Sequence, residues 1–489
     1  MRKVIDLQME FWKKDIANIE FDLQSRDEIP KLLMGLQYIY RTSCLRQKVF
    51  KVLKQIVPKK SHENGRPGMD LWKILVLGTL RLNCNWDYDK VQEMANNHHQ
   101  LREMLGHSKT DFESKYPLQT IRDNIVLLTP PILDEINQVV VKAGHSIITT
   151  KKDQQLQGSC DSFVVETDVH YPTDTNLLFD ATRKMISLIA IICSEVGITA
   201  WRQSHHNIIQ VKRLLRGIQK LKRSTSKDEA KKQKRDKFIV TEHQNYIDVC
   251  QGFVLRGKET IRILRELGIV SVTQDLRLST IEEYIRHAER QIDQIHTRVV
   301  LDERIAHGEK VFSIFEPHTE WISKGKAGVP QELGLKVCVL KDQYGLILHH
   351  RVMQQQTDDK VAVAMVEGAK DRFENLVGCS FDKGFYSPDN KSRLANVLDY
   401  VILPQKGRLS AKDKQIEHSE EFIESRRKHS AVESSINALE NHGLDRCLDH
   451  GLHGFERYVA LSVLARNIQI LGHLLQQKKL KQQKRRKAA

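Results

Sequence analysis

One strand-like run, CDSFVVETDV at 160–169, stands alone between two long helical stretches, and the other strand-like runs all lie beyond residue 309. Beyond that point LGLKVCVL (333–340), the turn KDQYG and LILHHRVM (346–353) predict a β-hairpin. A helix over about 358–373 leads to a strand ending at Asp382, Pro388 opens a short helix, and DYVILP (399–404) is a further strand. A longer helix covers about 419–441, with Asn441, His442 and Gly443 as its stop, followed by a densely apolar helix at 454–476. The final KKLKQQKRRKAA is expected to be a disordered basic tail.

Taken in order, the strand-rich parts run strand, long helical interruption, two-stranded hairpin, helix, strand, helix, strand, helix. That is the order of an α/β, RNase H-like catalytic core (151–179 and 309–476) with a large helical insertion after its first strand (180–308). An all-α N-terminal domain, 1–150, precedes it, and a basic tail, 477–489, follows. Within the N-terminal part, MDLWKILVLGTLRL (69–82) is apolar around much of its circumference and predicts a buried central helix after the GRPG loop at 65–68. Asp87 is placed to cap a helix running to about Asn97, and Pro117 to open one through Leu128. Arg66, Lys73, Arg81 and Lys90 give this unit either a basic face or simply the solvated side of a bundle.

Charge narrows the partners. The chain has 77 Lys and Arg against 62 Asp and Glu, a net +15, which makes a polyanion the first partner to test. Residues 212–237 carry twelve Lys or Arg, among them Lys212, Arg213, Arg216, Lys220, Lys222 and Arg223, against Asp228, Glu229 and Asp236, a net +9. Such a run is either a solvated face or a surface that tracks phosphates. The eight cysteines are scattered, without a Cys-x-x-Cys pair, and read as reduced, buried, cytosolic thiols. The N-terminus is charged too early for a signal-peptide core and no run approaches 18 uninterrupted apolar residues, so a soluble, intracellular protein without a membrane partner is expected.

Carboxylates carry the chemistry. Phosphodiester cleavage needs a neutralised phosphate, an activated oxygen nucleophile and a stabilised leaving oxygen, and two Mg²⁺ ions roughly 4 Å apart supply all three. Mg²⁺ takes hard oxygen ligands. Asp161 lies in the first strand, Asp382 ends the fourth, and a third ligand must come from the helix after the sheet. Glu433 is the choice there, because it sits beside the apolar stripe of Val432, Ile436 and Leu439, on a row with His429 and Glu440. Any one such acid is ordinarily a surface carboxylate or a cap; three at the required places in one topology are what give them weight.

The blocks CDSFVVETDVHYPTDTNLLFD, FSIFEPHTEWISKGK, CSFDKGFYSP, ILPQKG and KHSAVESSINALENHGLDRC resemble the catalytic blocks of DDE-type insertion-sequence transposases, of the ISNCY and insertion-sequence-five-like kind. The helices at 65–128 resemble the N-terminal domain of those proteins. The resemblance implies a bacterial, cytoplasmic, nucleoid-associated enzyme that binds terminal inverted repeats and target DNA as a homodimer or larger assembly. It implies Mg²⁺, with Mn²⁺ able to substitute, as two ions on Asp161, Asp382 and Glu433. Water first frees a 3′-hydroxyl, which then attacks the target duplex in line.

The first family acid lies in an Asp-Gly-Thr or Asp-Thr-Thr motif; here the chain reads Asp161-Ser162-Phe163, with Asp168 as the alternative. The Asp-Lys/Arg-Gly-Tyr motif of the second maps to Asp382, with Phe385 and Tyr386 in the aromatic places. Around the third acid, relatives carry Tyr, Arg and Lys at seven before, four before and seven after; here Arg426, His429 and Glu440 stand in those places, with Arg426, Arg427 and Lys428 as replacement DNA contacts. Lys383, and Lys324 and Lys326 beside Trp321, are further phosphate candidates. Asp161 and Asp382 are 221 residues apart, against 51 from Asp382 to Glu433, which agrees with a basic helical insertion that helps to hold DNA ends. No Walker A loop is present, as suits direct transesterification, and SHHN (204–207), His170, His349 and His350 lack ligand spacing. Two other classes stay open: a metal-dependent nuclease without strand transfer, and an inactive DNA-binding relative.

Overall fold

The computed structural model describes residues 3–5, 14–57, 68–108, 111, 113–148, 155–223, 228–266, 268, 271–323 and 331–488. The chain forms two compact units, one of Met1–Asp168 with Glu320–Ala489 and one of Val169–Thr319.

The first unit is built on a mixed sheet. Its described strands are β1 (Leu156–Thr167), β2 (Glu320–Ser323), β3 (Gln331–Asp342), β4 (Ile347–Met353), β5 (Leu376–Phe381), β6 (Tyr400–Ile402) and β7 (Arg446–Cys447). They lie in the order β2-β3-β1-β5-β6, with β4 also on β3 and β7 also on β1. β1 runs antiparallel to β3 and parallel to β5, and β5 is parallel to β6. The hairpin β3–β4 matches the sequence pattern, whereas β2 lies in a stretch the pattern did not mark as a strand.

Side chains alternate across the sheet with period two. Leu156 and Cys160 join Cys338, Leu340, Cys379 and Phe381 in a core covered by Val361, Ala362, Met365 and Val366 of the helix Asp358–Lys370. Phe163 and Val165 join Leu335, Val337 and Val339 on the opposite face, in a core shared with the N-terminal helices, with Val432, Ile436 and Leu439, and with the C-terminal helix. The segment 1–150, set apart by its helical pattern, thus shares one apolar core with the sheet.

Two glycines show how close that packing is. A Cβ on Gly472 would meet the carbonyl oxygen of Lys31 at 1.8 Å, and one on Gly35 the carbonyl of Ile468 at 2.3 Å, so the helices Glu28–Arg41 and Gly451–Ala488 touch backbone to backbone. In the helix Leu71–Asn83 every residue but Lys73 is buried. That includes Arg81, expected on a basic face. A helix enclosed on all sides has no solvated side, and Arg81 is neutralised inside: its Nη1 lies 2.9 Å from Asp449, which also takes Arg457 at 2.8 Å. Lys73 and Lys90 pair with Asp70 and Glu93, and Arg66 lies outside the described residues.

The C-terminal helix corrects a second expectation. It runs to Ala488, through the segment read as a disordered tail. Lys, Arg, Gln, Leu and Ala are good helix formers, and neither Gly nor Pro follows Gly472 to stop it. A stretch of it is long and apolar enough to cross a membrane, and 72% of that window is buried inside the protein. Phe455, Val459, Leu464, Ile468 and Leu471 supply this burial.

The second unit consists chiefly of the helices Asp174–Glu195, Ser204–Lys222, Glu229–Glu266 and Val272–Ile295 around their own core, which includes Ile186, Trp201, Tyr246 and Ile285. It spans Val169–Thr319, against 180–308 from pattern alone.

Candidate carboxylate site

Register brings the first two acids together. Cys160 of β1 pairs with Phe381 of β5 in the parallel ladder, so Asp161 and Asp382 are the next residues on neighbouring strands, which run about 4.8 Å apart. β1 continues, with Asp161 opposite Val339 of β3. β5 ends, and Asp382 turns out into the short 3₁₀ helix Lys383–Phe385, which leaves its side chain exposed.

Two helices supply the third acid. Glu420–His429 and Ala431–Leu439 replace the single helix expected over 419–441, breaking at Ser430. Val432, Ile436 and Leu439 are buried as the stripe predicts, and Glu433 is exposed in the first turn. His429, at the end of the preceding helix, places Nδ1 3.0 Å from the Ser380 hydroxyl, which itself lies 3.3 Å from the Gly158 carbonyl and 3.1 Å from Ser159 Oγ. Lys341 of β3 donates from Nζ to the Ala431 carbonyl at 2.6 Å.

The electrostatics of Asp161 register the convergence. Burial pushes its carboxyl up to about 6; the Ser162 backbone N–H, donating to it at 2.7 Å, opposes this, and the negative charges of Asp382, Asp358 and Glu433 reinforce it. His429 is held below the usual imidazole range, first by burial, with the charges of Asp382 and Glu433 pulling the other way and Lys341 adding to the depression.

Asp168, the alternative first acid, lies seven residues further on, roughly 20 Å along an extended strand. It is exposed and sits 3.7 Å from Arg446. Of the two, Asp161 is the one that stands beside Asp382 in the strand register and feels the charges of Asp382 and Glu433.

Sequence patterns missed Asp358. It opens the helix Asp358–Lys370 behind the sheet, accepts the Ser162 hydroxyl at 2.6 Å and pairs with Lys336 at 3.1 Å. A Cβ on Gly384 would stand 2.9 Å from its Oδ2, so the Asp382-Lys383-Gly384 turn rests on this carboxylate. A Thr-Asp-Asp at a helix start reads as capping, which hid the second role. Ser380 and Lys341 carried no signal, and His429 showed only as a neighbour of Glu433 on its helical row.

The candidate cations fall into three groups. Lys383 is exposed beside Asp382, and Arg426, Arg427 and Lys428 are exposed in the last turn of their helix, Lys428 being 2.9 Å from Glu424. Lys212, Arg213, Arg216, Lys220, Lys222 and Arg223 are exposed in the second unit, off the stripe of Val211, Leu215 and Ile218. Lys324 and Lys326 lie outside the described residues.

Among the described residues no three His, Cys, Asp or Glu side chains stand close enough to make a ready-formed metal site. What fits a divalent ion is the donor chemistry: one half-buried and two exposed carboxylates whose mutual repulsion a cation relieves, beside a His429 Nε2 that is enclosed and without a partner. Comparison of the chain with protein-family profiles, curated proteins and solved structures finds no match.

Proposed function

We propose that this chain is a DDE-type transposase with an RNase H-like core, cutting the ends of a mobile DNA element and joining them to a target duplex. The observation that carries this reading is the succession of Asp161 and Asp382 after one parallel pair, together with the helix of Glu433, whose Val432, Ile436 and Leu439 join the core of Phe163, Val165, Val337 and Val339. The order β4-β3-β1-β5-β6, antiparallel on one side of β1 and parallel on the other, supports it, because the core expected for such an enzyme has this order.

Two Mg²⁺ ions, or Mn²⁺ in their place, would supply charge neutralisation at the scissile phosphate. Asp161, Asp382 and Glu433 would hold them, Asp161 from a central strand and the other two from exposed positions. Lys383, next to Asp382 in the chain, and Arg426–Lys428, in the last turn of the helix before that of Glu433, are exposed and would take the flanking phosphates. The cations of the second unit would grip the duplex through its phosphates, and two copies would hold the two ends.

The test is a mobility assay in cells, with the chain supplied in trans to a marker flanked by the DNA that borders its own coding sequence. Wild type should move the marker, and Asp382→Ala should abolish both cutting and movement. Cutting without joining would replace the reading by a nuclease, and identical products from wild type and variant would remove catalysis from these acids.

A further inference from the structure

Two acid-free segments meet at the C-terminal helix. Residues 29–62 carry eight Lys or Arg and residues 457–489 carry nine, without one Asp or Glu in either. In the fold, Arg41 at the end of the helix Glu28–Arg41 lines one groove of about 390 Å³ with Lys478 and Lys479, together with Met34, Tyr38 and Leu475. The helix Ser43–Leu53, which begins two residues after Arg41, adds Lys48 and Lys51, and these line a second groove of about 390 Å³ with Lys142. All six cations are exposed, and among the described residues none of them forms an ion pair.

The C-terminal helix turns its charge outward. It holds six cations from Lys478 to Arg486, and at about 100° per residue they fall within an arc of about 220°. The arc left over holds Gln476, buried and donating to the Leu23 carbonyl at 2.8 Å, and the half-buried Leu480. A helix dipole favours cations only in the last turn, whereas Lys478, Lys479 and Lys481 stand well before Ala488. Like charges gathered without acids repel, and a polyanion relieves them. A membrane surface would call for large apolar side chains exposed beside the cations, and among the described residues neither segment exposes one.

We propose that the cationic end of the C-terminal helix, with Arg41 and the helix Ser43–Leu53, is a docking surface for the phosphate backbone of duplex DNA, additional to the contacts assigned above. It rests on the proposed function only in naming DNA as the polyanion. A groove of about 390 Å³ is too small to admit a duplex, so the backbone lies across its mouth, within reach of Arg41, Lys478 and Lys479. Contacts of this kind position a duplex without reading its sequence.

The experiment is fluorescence anisotropy of a labelled duplex of mixed sequence, titrated with the full chain at several salt concentrations. Wild type is compared with Arg41→Gln and with a variant in which Lys478, Lys479, Lys481, Lys484, Arg485 and Arg486 are all replaced by Gln, a residue that keeps the helix, as circular dichroism checks. The sixfold variant should bind about tenfold or more weakly, with a logarithmic salt slope flatter by about 0.9 for each phosphate released, and Arg41→Gln should shift both in the same direction by less. Unchanged affinity and slope in the sixfold variant would overturn the inference. So would tighter binding of wild type to phosphatidylglycerol vesicles or to duplex RNA than to duplex DNA, lost in the same variant. Binding at this surface by a chain that never cuts DNA would leave the inference standing and remove only the proposed reaction.

Discussion

Asp161 and Asp382 directly follow the paired residues Cys160 and Phe381, so two carboxylates 221 residues apart in the chain come side by side, one within β1 and one just past the end of β5. Placing like charges there costs free energy in the ion-free protein. Burial is the main reason the Asp161 carboxyl is raised, and the charge of Asp382 adds to it; the case for a bound cation follows from that added cost.

The first prediction uses the sign of this shift. The folded-state value of Asp161, about 6, exceeds the ordinary 3.8, so protonation favours the folded chain. The associated stability is fully present below about pH 4 and is lost as pH rises through 6, up to about 3 kcal/mol in all. Asp161→Asn, free of this loss, should gain on wild type across that window in chelator-treated protein, as measured by urea unfolding at several pH values. A difference that stays flat from pH 4 to 7 would contradict it.

Gly384 and Asp358 should be coupled. Gly384→Ala pushes a methyl to 2.9 Å from Asp358 Oδ2 and should destabilise by about 1–3 kcal/mol while displacing Asp382. Shortening the neighbour by Asp358→Ala should recover part of that loss. A double-mutant cycle measures the coupling, and strict additivity would show that the turn does not rest on Asp358.

Asp449 neutralises two buried guanidinium groups, at 2.9 Å from Arg81 and 2.8 Å from Arg457. Removing the shared partner strands two charges, so Asp449→Ala should cost about 3–5 kcal/mol in chemical denaturation. A cost below about 1 kcal/mol would mean that water reaches the cluster.

How much of this was legible depended on the range of the interactions. The hairpin, the strand ending at Asp382 and the stripe beside Glu433 are local patterns of period two or 3.6, and they stand in the structure at or near the expected residues. Choosing Asp161 over Asp168 needed the register against β5, which no local pattern contains. Arg81 looked like a surface cation because its neutralising partner lies 368 residues away, at Asp449. β2 escaped because four residues, Glu-Trp-Ile-Ser, are too short to show alternation. Asp358 was hidden by its place in the first turn of its helix, where an acid is ordinary, and the C-terminal helix by a charge run that resembles a solvated tail.

The basic second unit makes a separate prediction. Replacing Lys212, Arg213, Arg216, Lys220, Lys222 and Arg223 by Gln should flatten the salt dependence of duplex binding, by about 0.9 in logarithmic slope for each phosphate that is no longer neutralised. These side chains are exposed and lie off the buried stripe of their helix, so folding should be unaffected. An unchanged slope would remove the unit from the DNA interface.

The most direct measurement is anomalous diffraction from crystals of the full chain soaked in Mn²⁺. Ion density bounded by the carboxylates of Asp161, Asp382 and Glu433, strengthened to two peaks when a DNA end is present, is the predicted result. Density at Asp168 instead, or three acids that remain apart at saturating Mn²⁺, would contradict the proposed site.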